Sequence, residues 1–82
     1  MSVSDDLKLL LADSLQLGTR AQALTPDSAL LGALPELDSQ GVVHLITAIE
    51  EHFGFVVADD EVSAETFATF GSLTEFVANK SA

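Results

Sequence analysis

The sequence predicts an all-α fold of three main helices, one short helix and a long first loop. Two observations carry this reading. Apolar residues recur at helical spacing in three separate segments, and the one β-branched stretch, Phe55-Val56-Val57, has no credible strand partner nearby. The 82 residues are 48 % hydrophobic with a mean hydropathy of +0.36, so residues 1–82 form one domain with enough apolar material for a core. A chain this small buries only about 60 % of its unfolded surface, and modest stability is expected.

The first helix is expected from Ser4 to Leu17, where Leu7, Leu10, Leu11 and Leu15 form a stripe that Leu9 and Leu17 widen. Ser4 suits the N-cap, Asp5 and Asp6 suit the positive end of the helix dipole, and Gly18 suits the position just past the C-terminus. Thr19 to Leu37 contains Pro26, Gly32 and Pro35, and Thr25-Pro26-Asp27-Ser28 reads as a turn. It also contains Leu24, Leu30, Leu31, Leu34 and Leu37, more apolar residues than a solvated linker carries. An ordered loop docked on the core by its leucines is expected, and loops of this length are often functional.

The second helix starts at Asp38-Ser39, with either residue able to cap it. Val42, Leu45, Ile46, Ile49 and Phe53 follow an i, i+3, i+4, i+7, i+11 pattern, and Gly54 stops it. Gly41 opposes this helix by about 1 kcal/mol relative to alanine. Phe55-Val56-Val57 reads as an extended connector. Asp59-Asp60-Glu61 opens a short acidic helix to about Glu65. A last helix runs from about Phe70 to Asn79, with Phe70, Leu73, Phe76 and Val77 on its inner face and Lys80 near its negative end.

Charge narrows the function. There are 13 acidic and 3 basic side chains, a net charge of -10, and ten acids with no Lys or Arg between Ala21 and Asn79. Nucleic acid is excluded as a partner, because phosphate backbones are bound by Lys and Arg. Membrane insertion is not expected: apolar runs are short and anionic surfaces repel the chain. Basic protein surfaces are favoured instead. With no cysteine the chain has no thiol of its own. The acidic N-terminus lacks the basic region of a signal peptide, so the expected location is cytoplasmic.

Catalytic constellations are missing. His44 and His52 stand eight residues apart on one helix, too far to chelate one metal, and read as exposed surface residues. Asp59-Asp60-Glu61 lacks the spacing and glycine of a calcium loop. A Ser39–His44 hydrolase pair fails on direction, because five residues along a helix point the two side chains apart. Ser39 itself stands at the junction of a long loop and an amphipathic helix. Local sequence leaves two roles open for it, a helix cap or a modified hydroxyl at a helix N-terminus.

Leu37-Asp38-Ser39 with Val42-Val43-His44-Leu45-Ile46-Thr47-Ala48-Ile49-Glu50-Glu51-His52-Phe53-Gly54 resembles the attachment site and recognition helix of the acyl carrier protein family, which includes carrier domains of polyketide and peptide synthetases. Phe55 to Val62 resembles the family's connector and short acidic helix, and Phe67 to Val77 its last helix. The resemblance implies a four-helix bundle. It implies a 4′-phosphopantetheine arm on Ser39, transferred from coenzyme A by a magnesium-dependent phosphopantetheinyl transferase, whose thiol carries acyl groups as thioesters in fatty acid or polyketide biosynthesis. It implies a monomeric carrier, not an enzyme. Partners would be the transferase and basic-surfaced acyl-loading and acyl-processing enzymes, met by Asp38, Gln40, Val43, His44, Glu50 and Glu51. The acyl chain would slip in beside Ile46, Ile49, Val57 and Phe67.

The chain departs from the family at Gln40, where leucine is usual, at Leu37, where many fatty-acid carriers have a small residue, and at Gly41 and His44, where acids are common. These departures suggest a specialised carrier. The alternative from another class is a small acidic interaction module with no prosthetic group.

Overall fold

Three α-helices form where apolar periodicity places them: α1, Val3–Ser14; α2, Ser39–Phe53; and α3, Phe70–Ser81. The computed structural model describes residues 3–35 and 37–81, and of Asp59 the backbone alone. Glu36, one of the ten acids counted above, lies outside the described residues. The architecture is a helical bundle, with α1 packed against both α2 and α3. Leu7 and Leu11 of α1 meet Leu45 and Ile49 of α2 and Leu73 and Val77 of α3 in one core from which solvent is almost excluded. Among the described residues no helix is long and apolar enough to cross a membrane.

The ends of the elements depart from expectation for local reasons. Ser4 lies inside α1 rather than capping it. The helix ends at Ser14, short of Leu17, because Gln16 adopts a left-handed backbone with φ of 55°. Gly18, with φ of 59°, then opens a 3-10 helix, Gly18–Ala23, inside what reads from sequence as loop. Leu17 is buried as expected, but Leu9 is 58 % exposed, off the stripe. The short acidic helix shrinks to a single 3-10 turn, Asp59–Glu61. Residues 55–58 belong to no helix or strand; the one β-bridge among the described residues joins Ala29 and Thr69.

The long loop is ordered, and its leucines divide. Leu30 and Leu37 are buried, Leu24 and Leu34 pack partly against the core, and Leu31 is 40 % exposed. The 25–28 turn closes through Ser28 N–H donating to the Thr25 carbonyl at 2.9 Å. Backbone hydrogen bonds then fasten the loop to the start of α3. Leu30 N–H donates to Ala68, Leu31 N–H to Phe67, Phe70 N–H to Ser28 and Gly71 N–H to Pro26, all at 2.8–2.9 Å. Thr69 and Ser72 cap α3 reciprocally: the Thr69 amide donates to Ser72 Oγ at 3.1 Å and the Ser72 amide to Thr69 Oγ1 at 3.0 Å. The approach at Gly71 leaves no room for a side chain, since a Cβ there would lie 2.7 Å from the Pro26 carbonyl oxygen.

At the other end of α3, Lys80 does more than complement the dipole. Its Nζ donates to both Glu61 carboxylate oxygens, at 2.8 and 2.9 Å, and lies 5.8 Å from the centre of the Phe55 ring. Glu61 Oε1 also accepts from the Ala58 amide at 3.0 Å. Its carboxyl is held below the ordinary value, first by the Lys80 hydrogen bond and then by the Ala58 amide.

Gly71→Ala is expected to destabilise the fold by about 1–3 kcal/mol, as forced overpacking does. That lowers the melting temperature by several degrees in a domain this size, read by far-UV circular dichroism. A melt within about a degree of the parent would mean that the Pro26 carbonyl yields freely.

A carboxyl whose folded pKa is depressed stabilises the fold above its unfolded pKa, and that contribution is lost as pH falls through the folded value. Lys80→Met should therefore melt below the parent at neutral pH. The gap should narrow as pH falls well below the ordinary carboxyl value of 4.5. A gap of constant width across that titration would remove Glu61 ionisation from the tether.

Candidate attachment site and docking face

The first amides of a helix have no intrahelical acceptor, and one of them decides how α2 begins. Asp38 takes the cap: its backbone is extended, with φ of -95° and ψ of -170°, and its Oδ1 accepts from the Gly41 amide at 2.8 Å. Its own carbonyl accepts from the Val42 amide at 2.8 Å. Ser39 becomes the first helical residue. Its side chain is exposed, and its hydroxyl makes no hydrogen bond among the described residues. Of the two capping candidates in the sequence, the structure uses Asp38 and leaves the Ser39 hydroxyl without a structural duty.

Around Ser39 the surface is weakly polar. Ser39, Gln40, Val43 and His44 line a shallow groove of about 460 Å³. Val43 is 62 % exposed, and Gln40 and His44 are exposed beside it. A second groove of about 470 Å³ shares Val43 and His44 and continues along α2 past Thr47 to Glu51, with Asp13 and Ser14 of α1 as its far wall. Asp13 lines this groove, and sequence reasoning does not place it there. Nothing in its local pattern reveals that the end of α1 lies beside the middle of α2.

Gly41 lies elsewhere. It is buried, in line with Leu45 and Ile49 on the inner face. Of the two positions where the family commonly carries an acid, Gly41 and His44, only His44 is therefore on the exposed face. The two adjacent glutamates also part company. Glu51 is exposed, whereas Glu50 is half-buried and its Oε2 accepts from the Val57 amide at 2.7 Å.

His52 is turned from Ser39 toward α1, with Nε2 3.6 Å from Asp6 Oδ2 and its ring edge-on to Phe53 at 4.9 Å. Among the described residues no group of three or more His, Cys, Asp or Glu could hold a metal ion. Ile49 and Phe67 are buried in the core, and Ile46 and Val57 are half-buried. Ser39 adds one exposed hydroxyl, with no hydrogen bond among the described residues, to the lining of the weakly polar groove.

Comparison with known proteins agrees with this geometry. A family model described as the phosphopantetheine attachment site matches residues 5–77. Acyl carrier proteins from several serovars of Chlamydia trachomatis are 32 % identical over 77 residues, covering 94 % of each chain. The solution NMR structure of a holo acyl carrier protein from Nitrosomonas europaea is 52 % identical, covers 98 % of this chain and 96 % of its own, and superposes with a TM-score of 0.89. With the match running through all three α-helices, the chain belongs to the phosphopantetheine-attachment family as an acyl carrier protein.

Proposed function

We propose that Ser39 is the residue that carries the 4′-phosphopantetheine arm, and that the exposed face of α2 beside it receives partner enzymes. The observation that carries this reading is the exposed Ser39 hydroxyl, which makes no hydrogen bond among the described residues while Asp38 caps the helix. As an acyl carrier protein the chain is not a catalyst; a transferase supplies the chemistry that joins the arm to the hydroxyl. Once attached, the arm's thiol holds acyl groups as thioesters, which explains thiol chemistry in a chain without cysteine.

This chain's own residues present the arm. Asp38 fixes the start of α2, so that Ser39 and its neighbours stand in a defined orientation. An arm on Ser39 would set its phosphate by the first turn of α2, where the helix dipole favours negative charge. Val43 offers an apolar contact, Gln40 and His44 flank it, and Glu51 closes the face with a carboxylate suited to a basic surface. In this reading the carrier works as a cytoplasmic monomer, engaging a phosphopantetheinyl transferase first and acyl-loading and acyl-processing enzymes afterwards.

Incubation with coenzyme A, magnesium and a broad-specificity phosphopantetheinyl transferase should raise the intact mass by one phosphopantetheine, and Ser39→Ala should abolish the rise. A rise that survives in Ser39→Ala would move the arm elsewhere, and none with several transferases would favour the acidic interaction module.

The cap gives a separate test. Asp38→Ala should lower stability by about 0.5–2 kcal/mol, and Asp38→Asn much less, because asparagine caps nearly as well. Urea unfolding measures both. Equal losses would mean that the Asp38 charge, not its hydrogen bond to Gly41, holds the helix start.

A further inference from the structure

Glu50 and Glu51 are neighbours in sequence but stand about 100° apart around α2. Glu51 lines the exposed groove, while Glu50 turns toward the connector that leaves the helix. Residues 55–58 belong to no helix or strand, and the Val57 amide has no backbone acceptor among the described residues. Without Glu50 that amide would be a half-buried donor with no protein partner, which is destabilising. At 2.7 Å the bond from Val57 N–H to Glu50 Oε2 is short, as expected for a charged acceptor.

The connector is held on either side of this bond as well. Before it, the Phe55 ring stacks on Phe53, with centroids 6.1 Å apart and planes 21° from parallel. After it, the Ala58 amide donates to Glu61, itself tied to Lys80. The Glu50 bond is the polar link that ties the middle of the connector directly to α2.

We propose that Glu50 is a positioning residue. It fixes the course of the connector from α2 to the Asp59–Glu61 turn through an acceptor oxygen, and the close-range docking charge at this end of α2 rests on Glu51. This assignment rests on the docking reading above and divides the labour between the two acids. A docking acid acts through its charge, so glutamine should be as harmful as alanine. A latch acts through its acceptor, so glutamine should largely restore it.

The test has two arms. Amide hydrogen exchange by NMR is measured on the unmodified chain. Glu50→Ala should speed Val57 exchange by at least about tenfold, the scale of losing a hydrogen bond to a charged group, while Leu11 and Leu73 keep the parent's rates. Glu50→Gln should stay within a few-fold of the parent. In the second arm, a phosphopantetheinyl transferase is assayed with coenzyme A. Glu50→Gln should leave the carrier's KM near the parent value, and Glu51→Gln should raise it several-fold. Val57 exchange as fast in Glu50→Gln as in Glu50→Ala overturns the latch. So does a KM raised equally by Glu50→Gln and Glu51→Gln, or one indifferent to Glu51. If no variant, the parent included, accepts the arm, the Ser39 reading fails, and the exchange arm still decides the role of Glu50.

Discussion

A helix start leaves backbone amides that something must satisfy, and at α2 the Asp38 carboxylate does so through Gly41. The arrangement of the site follows from that bond. Had Ser39 capped the helix, its hydroxyl would accept a backbone amide and its backbone would lie outside the helix. With Asp38 in that place, Ser39 enters the first turn exposed, its hydroxyl without a hydrogen bond among the described residues. A capped helix start beside an exposed hydroxyl suits the covalent arm proposed for Ser39.

The cap works only if the chain arrives in the right place, and the first loop determines that. Leu30 and Leu37 are buried at its middle and end, so the hydrophobic effect anchors the segment on which Asp38 rides. Backbone bonds from residues 26–31 to residues 67–71 hold the same loop against the start of α3. Gly71 admits the Pro26 carbonyl, which a larger residue would exclude. The geometry at Ser39 is therefore supported by side chains and amides remote from it in sequence.

The three α-helices were legible because each buries a stripe with a strong 3.6-residue period: Leu7 and Leu11, Leu45 and Ile49, Leu73 and Val77. The family was legible through the residues flanking Ser39. What escaped has physical reasons. The Gly18–Ala23 helix is 3-10, too short and too polar to impose a period. The early end of α1 depends on a left-handed Gln16, a conformation local sequence does not announce for glutamine. Leu9 and Leu31 are chemically indistinguishable from the leucines that are buried, and only packing exposes them. Asp13 joins the groove through the α1–α2 contact, which is a tertiary fact. Glu50 and Glu51 differ only in which way the helix turns them.

The net charge of -10 now separates into two effects. Several acids are engaged within the chain: Asp6 beside His52, Asp38 at the cap, Glu50 on Val57 and Glu61 on Lys80. At long range they still add to the field that steers a basic partner, because hydrogen bonding redirects a carboxylate without removing its charge. Each also holds a structural contact, and the grooves beside Ser39 are lined by Gln40, Val43 and His44, with Glu51 further along. Under the proposed docking reading, attraction and recognition have different sources: the acidic surface as a whole speeds encounter with a basic enzyme, whereas discrimination falls to the small apolar and weakly polar patch beside Ser39. There a mismatched partner finds no compensating charge.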